Sequence, residues 1–280
     1  MDFVKVEKKY LGACLELAVN EYCLEAAVSC SLSNLDCKNY LEDLLAGIFE
    51  SQYGMAAIEN GKVAALLFQN LSELMTKEKM SSYAICKYAH DEEITKALVL
   101  SGFGIRCGDA IKDIREVKCE IKNTAYLFEE LGKSEIIQLL DLKNGLQKHL
   151  SDSPVYFPHF ALTESDFVEL CQQRNSRFFA AKDGNKIIGY IEVDDSGETF
   201  ITEDVHVKNT CGMFLDKNYR GTGLAEDLLN FVTECLRKEH IDYLSVDFET
   251  INPTALRFWS KHFEVYTYSY VRRIDERIFK

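Results

Sequence analysis

The chain has no run approaching the roughly 18 uninterrupted apolar residues of a membrane-spanning helix, no cysteine pair at CxxC spacing and no long basic run. The first absence excludes a helical membrane span. The opening MDFVKVEKKY is charged from residue 2 with no apolar signal core behind it, so a soluble, cytoplasmic protein is expected. The second absence bears on ten cysteines scattered through 280 residues of ordinary composition. Cys23, Cys30 and Cys37, seven apart, fit helical faces better than a metal site; reduced, mostly buried thiols and no bound metal are expected. The third absence, with a formal net charge of -13, disfavours nucleic acid, because phosphate binding needs clustered positive charge. Most of that charge serves solubility, and it also suits a cationic partner.

Two phosphate-binding loops are missing as well. Gly132-Lys133-Ser134 lacks the glycine that a P-loop requires at position 127, which is Leu127. The turn at Gly221 and Gly223 continues to Ala225 rather than to the third glycine of a dinucleotide fingerprint, and its spacing differs.

What is present is organised twice over. Length gives a prior of about two domains. Leu11, Cys14, Leu15, Ala18 and Tyr22 recur at helical spacing, as do Tyr40, Leu41, Leu44, Leu45 and Ile48. GMAAIEN and KVAALLFQN, separated by Asn60-Gly61, predict a hairpin. A strand SYAICKYA, a helix over Glu92–Leu100 and a strand near Ala110 follow. From about Val117 the order restarts: a strand VKCEIK, a helix over Ile136–Leu150, a helix over Phe167–Gln173, and a hairpin turning at Asp183-Gly184-Asn185. Then come the strand TCGMFL, a helix from Gly223 to about Lys238, a strand YLSVDFE, a short helix from Asn252-Pro253 and a last strand YTYSYVRRI. An internal repeat is expected, with segments 1–116 and 117–280. The first lacks a glycine turn: only LSELMTKEKMS separates its hairpin from SYAICKYA.

In DKNYRGTGLAEDLL a strand ends at Leu215, Gly221 and Gly223 make a turn, and a helix begins. Free N–H groups at a helix start, backed by the positive end of the dipole, bind phosphate, and glycine lets its oxygens approach. A tight turn with glycines for geometry alone would use the same residues.

Arg220-Gly221-Thr222-Gly223-Leu224-Ala225 matches the R/Q-x-x-G-x-G/A pattern, TCGMFL precedes it, and NPTALRFW lies where an N-x-x-A-x-x-F-Y helix is expected. On these residues the chain, over about 123–274, resembles the GNAT superfamily of acyl-CoA-dependent N-acetyltransferases. The resemblance implies an α/β fold with a mixed, mostly antiparallel central sheet flanked by helices, here in two tandem copies. The copy over 1–116 would be degenerate, without a coenzyme A loop. It implies acetyl-CoA as cosubstrate, with the pyrophosphate on the N–H groups of Arg220, Gly221, Thr222, Gly223, Leu224 and Ala225. The main chain of Phe214 and Leu215 would meet the pantetheine arm, Asn252 would reach it from the other side, and Phe258 and Trp259 would pack beside it. The acceptor would be an amine of a small molecule or peptide, and the protein a monomer or homodimer.

An amine of pKa about 10.4 is neutral in only roughly one molecule in two thousand at pH 7, so a base must take its proton. Residues 183–204 hold seven carboxylates against one lysine. Glu203, Asp204 and His206, just before the cofactor strand, are candidate bases, with Asp247 and Glu249 as alternatives; a solvated loop would carry the same charges. Trp259 stands where the family usually has tyrosine, and indole is not a proton source. Tyr266, Tyr268 or water would then protonate the leaving thiolate. A covalent route through Cys211 is the minor alternative. A catalytically idle acyl-CoA-binding module is the competing function. A transferase using aminoacyl-tRNA would need a basic groove and a damaged loop, and neither is found.

Overall fold

Polar caps and glycines fix where the elements begin and end. Thr163 and Asp166 form a reciprocal capping box at one helix start. Asn252 accepts from the N–H groups of Thr254 and Ala255, with Pro253 in the first turn of another helix. Asp91 accepts from the N–H of Ile94 at a third.

The fold is that of a computed structural model, which describes every residue except 1, 6, 30–31, 33–36, 52–54, 60–61, 67, 153 and 159. Along the chain lie β1 (Asp2–Lys5), α1 (Leu11–Val28), α2 (Cys37–Ser51), β2 (Met55–Glu59), β3 (Lys62–Leu66), α3 (Phe68–Lys77), β4 (Ser82–Tyr88), α4 (Glu92–Leu100) and β5 (Gly104–Asp113). They are followed by β6 (Leu127–Glu130), α5 (Leu140–Ser151), α6 (Glu164–Arg174), β7 (Arg177–Asp183), β8 (Lys186–Asp194), β9 (Val207–Leu215), α7 (Leu224–Lys238), β10 (Tyr243–Glu249), α8 (Pro253–His262) and β11 (Glu264–Arg273). Strands β1 to β3 form a small antiparallel sheet. The expected Asn60-Gly61 turn lies outside the described residues, but the strands on either side of it pair as a hairpin. The other eight strands make a mixed sheet in the order β4-β11-β5-β10-β9-β8-β7-β6. Among the described residues no helix is long and apolar enough to cross a membrane.

The chain divides into two compact units, residues 1–107 with 266–280, and residues 108–265. The first unit therefore uses both ends of the chain, a division different from a cut at 116. Within it, β11 pairs antiparallel with β4, from Thr267 opposite Tyr88 to Arg273 opposite Ser82. Tyr83, Leu98, Phe103 and Tyr270 close a small core. Between β3 and β4 it has only α3, with no glycine turn.

In the second unit the alternation of side chains along each strand gives the sheet two different faces. Ile191, Val193, Leu244, Val246 and Phe248 pack with Leu224, Leu228, Val232 and Leu236 of α7, with Trp259 of α8 and with Phe263 just after it. Each fully buried aliphatic side chain there contributes about 2 kcal/mol. Phe178, Ala180 and Tyr190 pack on the other face with Leu139, Phe167 and Cys171.

VKCEIK, expected as a strand, is not one; the strand of this region is β6, ten residues later. Residues 117–123 have no sheet partner because side chains of α7 take their backbone groups instead. The N–H groups of Lys122 and Asn123 donate to the buried Asp227 carboxylate at 2.9 and 3.0 Å. Asn230 and Arg237 donate to the carbonyls of Glu120 and Val117.

This strap depends on one carboxylate. Asp227→Ala is expected to cost about 1–3 kcal/mol by removing the charged acceptor of two part-buried N–H groups. Amide exchange at Lys122 and Asn123 should accelerate well before that of β8; unchanged exchange would show that the strap is held otherwise.

Candidate functional site

The centre of the second unit is a place where two parallel strands separate. β9 pairs with β10 from Val207 opposite Tyr243 to Thr210 opposite Val246, and their register ends there. β9 runs on to Leu215 with β8 beside it, from Gly212 opposite Glu192 to Leu215 opposite Gly189. The register shift leaves Cys211 as the extra residue on β9, a bulge that increases local twist. On the β10 side, the main chain of Cys211–Leu215 has no paired strand, which leaves an open edge of peptide donors and acceptors.

The same edge leads into the glycine turn. Asp216 caps a single 3-10 turn, Lys217–Tyr219, by accepting from the N–H of Asn218. The Arg220 side chain folds back: its Nε donates to the carbonyl of Leu215 at 3.0 Å, and its guanidinium lies 5.0 Å from the centre of the Phe214 ring. Gly221 and Gly223 have φ of 77° and 87°, where a side chain is strained. A β-carbon on Gly221 would meet open space.

Gly223 is the N-cap of α7, and no side chain caps that helix. The two carboxylates of its first turn are engaged elsewhere, Asp227 with the strap and Glu226 with Lys261. The helix start is therefore bare backbone with a positive dipole end and no local anion directed at it.

Asn252 lies almost fully buried at the start of α8, with its Oδ1 capping the helix and taking the Thr254 hydroxyl. Phe258 packs edge-on against Trp259 at 4.9 Å and against His262 at 4.8 Å. Trp259 is a core residue, in edge contact with Phe263 at 5.4 Å.

Behind the open edge, on the α5 and α6 side of the sheet, sits a polar layer. Asn209 is its hub: Nδ2 donates to Asp247 Oδ1 at 3.2 Å and to Cys211 Sγ at 3.3 Å, and Oδ1 accepts from Ser245 at 2.6 Å. Gly197 rests on this amide so closely that a β-carbon there would come within 2.6 Å. Burial holds the Asp247 carboxyl above the ordinary carboxylate value. Burial also pushes the Cys211 thiol far up, and the Asp194 carboxylate hydrogen-bonded to it adds to the effect. Glu192 is buried against Lys143 of α5, and its Oε2 lies where a side chain on Gly212 would stand. His149, further along α5, is pushed down in pKa by burial and then by Arg220.

The structure brings Phe214, Leu215, Arg220, Gly221, Thr222, Gly223, Leu224 and Ala225 onto one continuous turn at the end of β9. Asp204 and His206 lie before the other end of that strand, where the His206 N–H donates to Asp204 Oδ1 at 2.8 Å. Five residues of extended chain, about 16 Å, separate His206 from Cys211. Tyr266 is fully buried on β11 in the first unit, its carbonyl accepting from the N–H of Ala89. Sequence reasoning missed Glu192, Asp194, Asn209, Ser245 and Lys143. Their signal was alternation: Glu192 and Asp194, Asn209 and Cys211, Ser245 and Asp247 are polar at every second position of otherwise apolar strands.

A half-buried Cys211 that holds its proton should be unreactive. Iodoacetamide at pH 8 is expected to modify it at least about tenfold more slowly than the exposed Cys23 or Cys86. Comparable rates, read by peptide mass analysis, would reopen the covalent route.

Residues 145–263 match the model of the acetyltransferase (GNAT) family. A GCN5-related N-acetyltransferase from Sphaerobacter thermophilus is similar in fold, with 10% identity, coverage of 97% of this chain and 95% of that one, and a TM-score of 0.56. A tandem GNAT protein from the clavulanic acid biosynthesis pathway aligns with 12% identity over 97% of this chain and 98% of that one, with a TM-score of 0.46. An aminoglycoside acetyltransferase from an uncultured soil metagenomic sample aligns with 17% identity over 51% of this chain and 90% of that one, with a TM-score of 0.40. No curated protein sequence matches the chain.

Proposed function

We propose that the second unit transfers an acetyl or other short acyl group from acyl-coenzyme A to a primary amine. The observation that carries this reading is the parting of β9 from β10, with an uncapped helix start immediately beyond it. The family match over 145–263 supports acyl transfer in general terms.

The residues fit coenzyme A in two ways. The bare N–H groups at Gly221–Ala225 offer donors and a dipole to a pyrophosphate, and the space over Gly221 admits it. The open edge at Phe214 and Leu215 offers peptide groups to an extended amide-containing arm, completed by the Nδ2 end of Asn252. Bound there, coenzyme A would supply a thioester, whose carbonyl an amine can attack. Arg220, anchored on Leu215 and Phe214, keeps the turn in shape.

The base is Asp247 in this reading. It stands on β10 just past the last paired residue, beside the open edge, and the Asn209 amide orients it. A raised carboxyl pKa brings it closer to the ammonium it must deprotonate. Asp204 and His206 are less well placed, at the far end of β9. As the C–N bond forms, Asp247 takes the amine proton, the C–S bond breaks with its electron pair leaving on sulfur, and solvent protonates the thiolate.

Trp259 favours the second reading, a module that binds acyl-coenzyme A without turnover. It fills the core where a phenol would otherwise stand. We further propose that the unit containing residues 1–107 binds no coenzyme A, since no glycine lies between β3 and β4, and that the protein is cytoplasmic.

Gly221→Glu should weaken coenzyme A binding at least about a hundredfold, by charge repulsion and occupied space, while circular dichroism stays native. Retained binding by calorimetry would place the cosubstrate elsewhere.

Asp247→Asn should lower kcat about 10²–10³-fold and remove the acidic limb of the kcat/KM profile, which lies above the ordinary carboxylate range. For stability the sign is fixed by the raised folded-state value. The stabilising contribution is complete below the unfolded pKa and is lost as pH rises through the folded one. The variant should flatten that decline in urea titrations across pH. Thiol release that is unchanged by the substitution would remove Asp247 from the mechanism.

A further inference from the structure

In the polar layer the aspartates lack a paired cation. Asp194 is 4% exposed, and its Oδ1 has no hydrogen-bond partner. Among the described residues neither Asp194 nor Asp247 makes an ion pair with a lysine, arginine or histidine. Of the nearby cations, Lys143 is paired with Glu192 and Lys208 with the neighbouring Asp195, while Arg174, exposed at the end of α6, acts on Asp247 without an ion pair to it. Glu198, exposed on the turn that carries Gly197, adds a further negative charge acting on Asp247. The donors that reach these carboxylates are neutral: the Asn209 amide and a backbone N–H for Asp247, and the Cys211 thiol for Asp194. A buried carboxylate without a counter-ion is costly, and folded proteins meet that cost with a paired cation.

A metal ion is the poorer candidate. Neither Asp194 nor Asp247 belongs, among the described residues, to a group of three side chains whose ligand atoms converge closely enough to share one. An organic ammonium needs no such convergence, since it can bridge separate carboxylates.

We propose that Asp194 holds a second ammonium group of the acceptor, so that the acceptor is a short α,ω-diamine whose reacting end meets Asp247. This rests on the acyl-transfer reading. The register sets the span. Asp194 stands opposite Asn209, and Asn209 opposite Ser245, two residues before Asp247. The two aspartates are thus two strand spacings and two residues apart, on the order of 12 Å between Cα atoms. After side-chain reach and two ammonium–oxygen contacts, that leaves room for a spacer of about three to five carbons. A monoamine would satisfy only one of the two carboxylates. Asp194 is buried, so binding requires a local opening of this face, and the turn at Gly197, which rests on the Asn209 amide, is the segment that would move.

The test uses the full chain without coenzyme A, titrated by calorimetry with 1,4-diaminobutane and with 1-aminobutane. The diamine is expected to bind at least about tenfold more tightly. Asp194→Asn should abolish that ratio while keeping 1-aminobutane affinity, and should raise Tm in the absence of amine because an unpaired buried charge is gone. A merely structural Asp194 would instead lower Tm. Equal affinities in the wild type, no measurable diamine binding, or a ratio that survives in Asp194→Asn would overturn the proposal. So would saturable Mg²⁺ binding lost in Asp194→Asn and not displaced by the diamine. A separate titration with coenzyme A keeps the outcomes apart: its failure would sink the acyl-transfer reading and leave the amine result standing.

Discussion

The site rests on an interruption of hydrogen bonding. Peptide groups inside a parallel sheet are normally paired on both sides, and leaving a row of them open on one side is unfavourable unless something takes their place. β9 is held by β8 from Asn209 to Leu215 and by β10 only from Val207 to Thr210. The bulge at Cys211 gives the strand the twist that carries it away. What surrounds the gap follows from it: a turn of two glycines where the strand ends, a helix that begins without a cap, and a polar layer beneath. Each would be a local defect elsewhere in the fold. Grouped at one strand end, they leave peptide donors and acceptors and a bare helix start side by side.

Rigidity and openness are divided between the two faces of the sheet. The face under α7 and α8 is apolar and closely packed, so the helix that presents the bare N–H groups is anchored along its length. The opposite face carries buried ionisable groups whose charges are only partly balanced. Lys143 and Glu192 neutralise each other, and their union with α5 fixes the far wall beside Gly212. Asp194 and Asp247 are left over. The apolar packing and the unpaired charges thus lie on different sides of the same strands.

Much of this could be read in the chain before any coordinates. The element order was legible because its periodicities are clean, and the glycine turn because Gly221 and Gly223 occupy backbone angles that other residues avoid. The strap at 117–123 was misread as a strand. Its alternation of apolar and polar residues is real, but its partners are side chains of a helix more than a hundred residues away. The polar layer was invisible for a similar reason: Asp194, Asn209 and Asp247 come from three strands, and only the register makes them neighbours. The loop before β9 drew attention by density of charge, yet distance along the strand removes it from the gap.

The first compact unit is assembled from residues 1–107 and 266–280, and the second lies wholly between them. On a ribosome, the part that starts first therefore finishes last. Until β11 is made, β4 lacks the partner strand that covers one of its edges and Tyr83 lacks Tyr270 beside it. The 108–265 unit has its own sheet contacts and core by then, and domains fold as units once their segments are available. The split gives this chain a built-in order of maturation, in which the 108–265 unit can form before the other is complete.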